Sequence, residues 1–256
     1  MVKNGDKLNF AIPDGHLMTH VLPFIKGAGI GFDGYETLNM SRRPVMRLDT
    51  DHAKEIISRP DMVAAKVIRP QDMPAHVANG NFDLAVSGTD WLAEHKIRFP
   101  NSPMNDEPFL RLGFGKVRIV AAAHQDYGDN LPDFIRSFRS GPEKKYFRIA
   151  SEYVYIADHF AQKNNFHPYR IIMTYGATES LIPEDCDMII ENTETGNTLR
   201  KNNLQIIDTL MKSEGCLIVN RESMDNSLKR ELALGIKTLF EEYLNSNLNI
   251  QNPNNK

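Results

Sequence analysis

Short apolar runs alternate along the chain with segments whose apolar positions recur every three or four residues. Residues 8–12, 64–68 and 82–86 read as buried strands; helical patterns follow them from about residue 17, over 71–78 and over 91–94. This strand-and-helix rhythm predicts an α/β fold with a mainly parallel sheet. A stretch of Pro, Asn, Ser and acidic residues at 100–108 interrupts it and reads as a surface connection. The rhythm restarts with apolar segments at 117–123, 134–138, 147–150, 170–173 and 188–190, and with a helical pattern over 152–162. Two α/β lobes follow from that restart. Near the end, Leu228, Leu232, Ile236, Leu239 and Tyr243 recur at helical spacing, with Lys229, Arg230, Glu231, Lys237 and Glu242 on other faces, which predicts one long packing helix.

The organisation expected from this pattern is a first lobe over 1–111, a second over 112–202, a return to the first over 203–225 and a C-terminal helix over 226–244. A flexible tail over 245–256 is expected last, because half of its residues are Asn. No repeat of fixed period is visible, which excludes solenoids and propellers.

Composition narrows the class. With 41% apolar and 25% charged residues among 256, the chain is neither fibrous nor intrinsically disordered. Lys and Arg total 30 against 33 Asp and Glu, so there is no basic footprint for nucleic acid or an anionic membrane, and any cationic site must be local. The N-terminus lacks the apolar core of a signal peptide, and no apolar run approaches the roughly eighteen residues of a membrane span. Cys186 and Cys216 form no CxxC pair and stand near no His cluster, against a zinc site or a disulfide framework. A soluble protein of the reducing cytoplasm is expected.

The segment richest in chemistry begins where strand 188–190 runs into Glu191 and then a loop of hydroxyls around one glycine. Gly196 permits a tight turn with close backbone approach, while Thr195, Asn197 and Thr198 offer side-chain hydrogen bonds beside backbone N–H groups. Such a loop suits a phosphomonoester, and an acid at a strand end suits a vicinal diol, so together they suit a ribose 5-phosphate. The alternative is that Thr195 or Thr198 caps a helix and Gly196 serves only the turn. The usual phosphoribosyltransferase fingerprint has two adjacent acids here, whereas Glu191 is followed by Asn192.

Elsewhere, Arg69 follows a strand and precedes Pro70, at the sheet edge where α/β folds bind ligands. Ser87, Gly88 and Thr89 stand at another strand-to-helix turn, where small residues leave N–H groups open to an anion. Asp90 and Glu94, one helical turn apart, read as metal contacts or, more commonly, as solvated carboxylates. Asp72 reads as a helix cap. Asp14 reads as a cap with His16 on the first turn, or the turn meets a ligand. Arg42, Arg43 and Arg47 either add positive charge nearby or are solvated. Glu179 at a predicted helix start suggests dipole complementarity.

Six motifs in order resemble the ATP phosphoribosyltransferases, the enzymes that open histidine biosynthesis. They are Arg69-Pro70-Gln71-Asp72-Met73-Pro74, the segment from Gly80 through Ser87-Gly88-Thr89-Asp90 with Glu94, Leu112-Gly113-Phe114-Gly115, Arg148-Ile149-Ala150-Ser151-Glu152-Tyr153, Gly176-Ala177-Thr178-Glu179, and Glu191 through Leu199. The resemblance covers the chain from about Leu8 to Asn220. It implies two α/β lobes around a cleft, like a type II periplasmic binding protein. The implied reaction is transfer of the 5-phosphoribosyl group from phosphoribosyl pyrophosphate to N1 of ATP, with release of pyrophosphate and with Mg2+ accompanying it.

By the same resemblance, Glu191 and Arg69 are expected to be catalytic, and Glu191, Thr193, Glu194, Thr195, Gly196, Asn197, Thr198 and Leu199 to hold the donor. Asp14, Gly15, His16, Arg43, Arg69, Ser87, Gly88, Thr89, Asp90 and Glu179 are expected on the ATP side, and the metal ligands are not assigned. Family members usually read Lys-Gly-Arg where this chain has Asp14-Gly15-His16, which exchanges two cations for an acid and an imidazole facing polyanionic substrates. The chain looks like the short form, without the ferredoxin-like regulatory domain. Such forms work with a separate regulatory subunit related to histidyl-tRNA synthetase, so a homo- or hetero-oligomer is expected. Two rival readings share the architecture: a binding or regulatory protein for a phosphorylated ligand, and a phosphoribosyltransferase with another acceptor.

Overall fold

A computed structural model describes residues 7–36, 40–140 and 146–251. The chain divides into two compact units. The first is Met1–Leu92, Asn101–Gly115 and Glu214–Lys256; the second is Ala93–Pro100 and Lys116–Ser213.

The first unit is built on a five-stranded sheet. β1 (Leu8–Pro13) lies between β4 (Val63–Ile68) and β5 (Leu84–Gly88), parallel to both; β12 (Gly215–Val219) then runs antiparallel to β5 and to the short β6 (Leu110–Arg111). Phe10, Ala11 and Ile12 are fully buried in succession, as a central strand covered on both faces requires. Phe10 and Ile12 join a core with Val21 and Phe24 of α1 (Gly15–Gly27) and Ile236 and Phe240 of α8 (Ser227–Gln251). Ala11 belongs instead to the opposite cluster, with Met73 and Val77 of α3 (Met73–Ala78) and Leu92 of α4 (Thr89–Arg98). A Cβ on Gly27 would lie 2.2 Å from the Tyr243 ring, so glycine there lets α8 close onto the end of α1. A hairpin of β2 (Ile30–Asp33) and β3 (Val45–Leu48) and the short α2 (Asp51–Ile56) complete this unit.

In the second unit the strand order is β11 (Leu204–Ser213), β7 (Val117–His124), β10 (Met188–Thr193), β8 (Phe147–Ser151), β9 (Tyr169–Met173). β7 is antiparallel to both of its neighbours, while β10, β8 and β9 are parallel to one another. The segment 134–138 is helical, within α5 (Leu131–Ser140); Phe134 and Phe138 pack there on Phe147, the Phe138 and Phe147 rings stacking at 4.0 Å. α6 (Val154–Lys163) follows β8, and α7 (Asn197–Lys201) follows β10.

Several expectations need correction. Both sheets are mixed rather than mainly parallel, because the segments that carry the chain from one unit to the other and back enter as strands without a crossover helix. Residues 112–115 stay with the first unit: the Leu112 N–H donates to Gly215 O at 2.9 Å, and the Gly215 N–H to Phe114 O at 2.8 Å. The return comes at Glu214 and not at 203, since β11 pairs along β7. Residues 93–100 belong to the second unit. The C-terminal helix extends to Gln251, so 245–251 are helical where a flexible tail was expected; 252–256 lie outside the described residues.

Candidate active site

In the second unit, the parallel strands β8, β9 and β10 end at one sheet edge, and each is followed by candidate site residues. Glu191 lies near the end of β10, half-buried, with Oε1 accepting from the Asn192 backbone N–H at 2.9 Å and from Asn192 Nδ2 at 3.0 Å. Thr178 also hydrogen-bonds its carboxylate. Burial pushes the Glu191 carboxyl up to about 7, and the negative charges of Glu152 and Glu179 add to the rise. Glu152 follows β8, and Glu179 lies in the 3-10 turn Thr178–Leu181 after β9. The structure thus brings Glu179 beside Glu191, in the unit that carries the hydroxyl loop.

The loop after Glu191 makes bonds of its own. The Gly196 N–H donates to Thr193 Oγ1 at 2.8 Å, and the Asn197 N–H approaches Thr195 Oγ1 at 3.4 Å. Gly196 has φ +74°, the left-handed region that favours glycine, and directly precedes α7. Thr193 therefore closes the turn ahead of α7, and the helix itself gets only the long contact from Thr195. Thr198 is exposed and its carbonyl accepts from Asn202 Nδ2, Glu194 and Asn197 are exposed, and Arg200 bonds Asn197 Oδ1. Leu199 is buried in the core with Ile189 and Leu204, so its side chain anchors the loop instead of lining it.

In the first unit, the C-terminal ends of β1, β4 and β5 share an edge, and the Asp14 N–H donates to Ile68 O at 3.1 Å. Asp14 is in the N-cap position of α1 but makes no capping bond; its carboxylate pairs with Arg42 Nη1 at 2.7 Å. That pair replaces the cap expected of Asp14, while Arg42 stays largely exposed to solvent. Gly15 has φ +66° with open space where a Cβ would stand, and His16 is exposed, its ring edge-on to His20 at 5.2 Å. Arg47 pairs with Asp33 and with Asp49. Arg43 and Arg69 are exposed, and the Arg69 guanidinium has no ion pair among the described residues. Asp72 makes no capping bond.

The turn at Ser87 is more closed than its small residues suggest. Ser87 Oγ donates to Pro70 O at 2.9 Å, the Thr89 N–H donates to Glu214 O at 3.0 Å, and Thr89 Oγ1 accepts from the Glu214 N–H. With the Ser87 hydroxyl and the Thr89 N–H engaged in this way, the turn is not the open anion cradle its small residues suggest. Asp90 is only 5% exposed, and a Cβ on Gly88 would come within 2.1 Å of its Oδ1. Glu94 is not a solvated carboxylate either: it accepts the backbone N–H groups of Tyr155 and Ile156. Glu152 and Tyr153 were missed as individual residues, although an acid directly after a strand is the signal that pointed to Glu191.

Two mixed α/β sheets, one with an acid-rich parallel edge that leads into a glycine-centred loop of hydroxyls, define an α/β protein with a candidate site for a phosphorylated sugar. The fold is similar to a solved ATP phosphoribosyl transferase (HisG:HisZ) complex from Thermotoga maritima (TM-score 0.68, 23% identity, covering 94% of this chain and 98% of that one). It is also similar to a Candida albicans protein with the generic periplasmic binding protein fold (TM-score 0.50, 8% identity, covering 97% and 76%). The sequence model of the ATP phosphoribosyltransferase family matches residues 69–242. The ATP phosphoribosyltransferase of Solibacter usitatus is 31% identical over 82% of this chain and 69% of its own length; that of Chlorobaculum parvum is 29% identical over 96% and 74%. The chain belongs to the ATP phosphoribosyltransferase family.

Proposed function

We propose that the acid-and-loop edge of the second unit holds the donor in this family's reaction. That reaction transfers the 5-phosphoribosyl group from phosphoribosyl pyrophosphate to N1 of ATP, releases pyrophosphate, and opens histidine biosynthesis. The observation that carries the assignment is the half-buried Glu191 carboxylate, fixed at a strand end and followed at once by the Thr193–Gly196–Thr198 turn. Glu191 accepts hydrogen bonds from the ribose hydroxyls. The 5-phosphate takes over the Gly196 and Asn197 N–H groups that Thr193 and Thr195 cap, and adds the Thr195 and Thr198 hydroxyls.

Displacement at an anomeric carbon develops oxocarbenium character, so the protein acts by positioning and charge stabilisation; the adenine N1 lone pair attacks without a strong base. Arg69, exposed and without an ion pair among the described residues, is assigned to the triphosphate, together with Arg43 and the Asp14-Gly15-His16 turn; the closed Ser87-Gly88-Thr89-Asp90 turn is left out.

Glu152, Glu179 and Glu191 offer oxygen ligands, but the three carboxylates do not converge into one cluster at ligand spacing, so Mg2+ would be held chiefly by the pyrophosphate oxygens. When bound, the ion neutralises charge on the departing pyrophosphate.

A separate regulatory subunit related to histidyl-tRNA synthetase, in a hetero-oligomer, completes the reading; the Thermotoga maritima neighbour, a HisG:HisZ complex, supports it. A reducing cytoplasmic setting accords with Cys186 and Cys216, both buried free thiols. No helix among the described residues is long and apolar enough to cross a membrane.

The test is Thr195→Val, which removes one hydroxyl at nearly constant volume. Calorimetry should show donor affinity falling by about 1–3 kcal/mol; unchanged affinity in a folded variant removes the loop from the donor site.

A further inference from the structure

Ser151 and Tyr153, on either side of Glu152, have no part in the donor site as described above, yet they run directly into the support of Glu191. The parallel register of β8 and β10 sets Ser151 opposite Ile190. Ser151 is fully buried; its hydroxyl donates to Ile190 O at 2.6 Å and accepts the Tyr153 N–H at 2.8 Å. Tyr153 is thereby fixed against the end of β10, only 1% exposed. Its phenol oxygen accepts from Asn192 Nδ2 at 3.2 Å, and the same amide nitrogen lies 3.0 Å from Glu191 Oε1.

The Asn192 side chain is exposed, so burial does not explain its two bonds. An acid in its place would add another negative charge beside Glu152, Glu179 and Glu191, whereas the amide adds a donor. Resting on the donor-site reading above, we infer that Tyr153 and Asn192 are positioning residues: Asn192, held by the buried Tyr153 hydroxyl, clamps one oxygen of Glu191 and so orients the carboxylate toward the ribose hydroxyls of the donor.

The experiment is a set of calorimetric titrations of the full chain with phosphoribosyl pyrophosphate and, separately, with ATP. It uses Asn192→Leu, Tyr153→Phe, Glu191→Gln and the Glu191→Gln/Asn192→Leu pair. Asn192→Leu should weaken donor binding roughly ten- to a hundredfold and Tyr153→Phe roughly two- to tenfold, the scale of a lost hydrogen bond to a charged and to a neutral group, with ATP binding unchanged. In the Glu191→Gln background Asn192→Leu should add nothing, because a residue acting through Glu191 has no second route to the donor.

Full additivity of the two substitutions, or equal weakening of donor and ATP, overturns the positioning role while leaving the donor site intact. Unchanged donor affinity in Glu191→Gln alone overturns the site reading itself, and this inference with it. Tyr153→Phe keeps the buried ring, so its outcome stands even where Asn192→Leu disturbs the strand end.

Discussion

Glu94 and Tyr155 meet end-on: Glu94 Oε1 accepts the Tyr155 backbone N–H at 2.8 Å, and its other oxygen accepts that of Ile156 at the same distance. These are first-turn N–H groups of α6, whose own N-cap residue, Tyr153, makes no capping bond. A side chain from α4 thus supplies both hydrogen bonds and the negative charge that a helix N-terminus favours. Glu94→Ala should lower the stability of the chain by about 1–2 kcal/mol, the scale of a lost charged cap, and Glu94→Gln by less. Denaturant midpoints of the two variants check this; equal midpoints for Ala and the parent would show the contact to be energetically idle.

Glu191 should make stability fall as pH rises. Its carboxyl is pushed up to about 7 from an ordinary 4.5, so folding penalises the ionised form. The penalty is absent where both states are protonated, grows as pH climbs between these two values and is complete above the higher one. Glu191→Gln cannot ionise and should gain about 1–3 kcal/mol over the parent near pH 8, with little difference near pH 4.5, while losing donor affinity. Unfolding curves at the two pH values decide it.

His95 acts in the opposite direction. It is 8% exposed, its Nε2 has no hydrogen-bond partner among the described residues, and burial, with Lys96 and Arg98 nearby, holds its pKa below the ordinary imidazole value. The unfolded chain therefore takes up a proton before the folded one does, and stability declines as pH falls through about 6.5. His95→Leu should flatten this decline between roughly pH 7.5 and 5.5, a range spanning that reference value. Thermal midpoints that fall equally in parent and variant would assign the acid sensitivity elsewhere.

The Asp14–Arg42 pair changes what the acid in the Asp14-Gly15-His16 turn does. Arg42 neutralises it at 2.7 Å, and the Asp14 side chain is only 16% exposed, so its charge does not stand alone against a polyanion. Asp14→Asn should free the Arg42 guanidinium and strengthen ATP binding a few-fold at low ionic strength, with the gain fading as salt screens it. Arg42→Ala should do the reverse. Titrations at two salt concentrations separate this from a purely structural pair, for which neither variant moves ATP affinity.

The sequence by itself determined the strands at 8–12, 64–68, 117–123, 147–150, 170–173 and 188–190, where the long C-terminal helix lies, and that residues 191–199 form an acid-led hydroxyl turn. Those features repeat at the period of the backbone, or sit within a few residues of one another, and so are written locally. The tertiary structure alone decided that both sheets are mixed, that the chain re-enters the first unit at Glu214, and that a short hairpin follows α1. It also placed Glu179 beside Glu191, gave Asp14 to Arg42 and set Glu94 on α6, 61 residues away from Tyr155 in the chain. An unpaired acid reads the same in sequence whether it caps, pairs or stays solvated, because its partner is chosen by which strand ends share an edge. That choice is made by burying apolar faces over the whole sheet, at separations no local period spans.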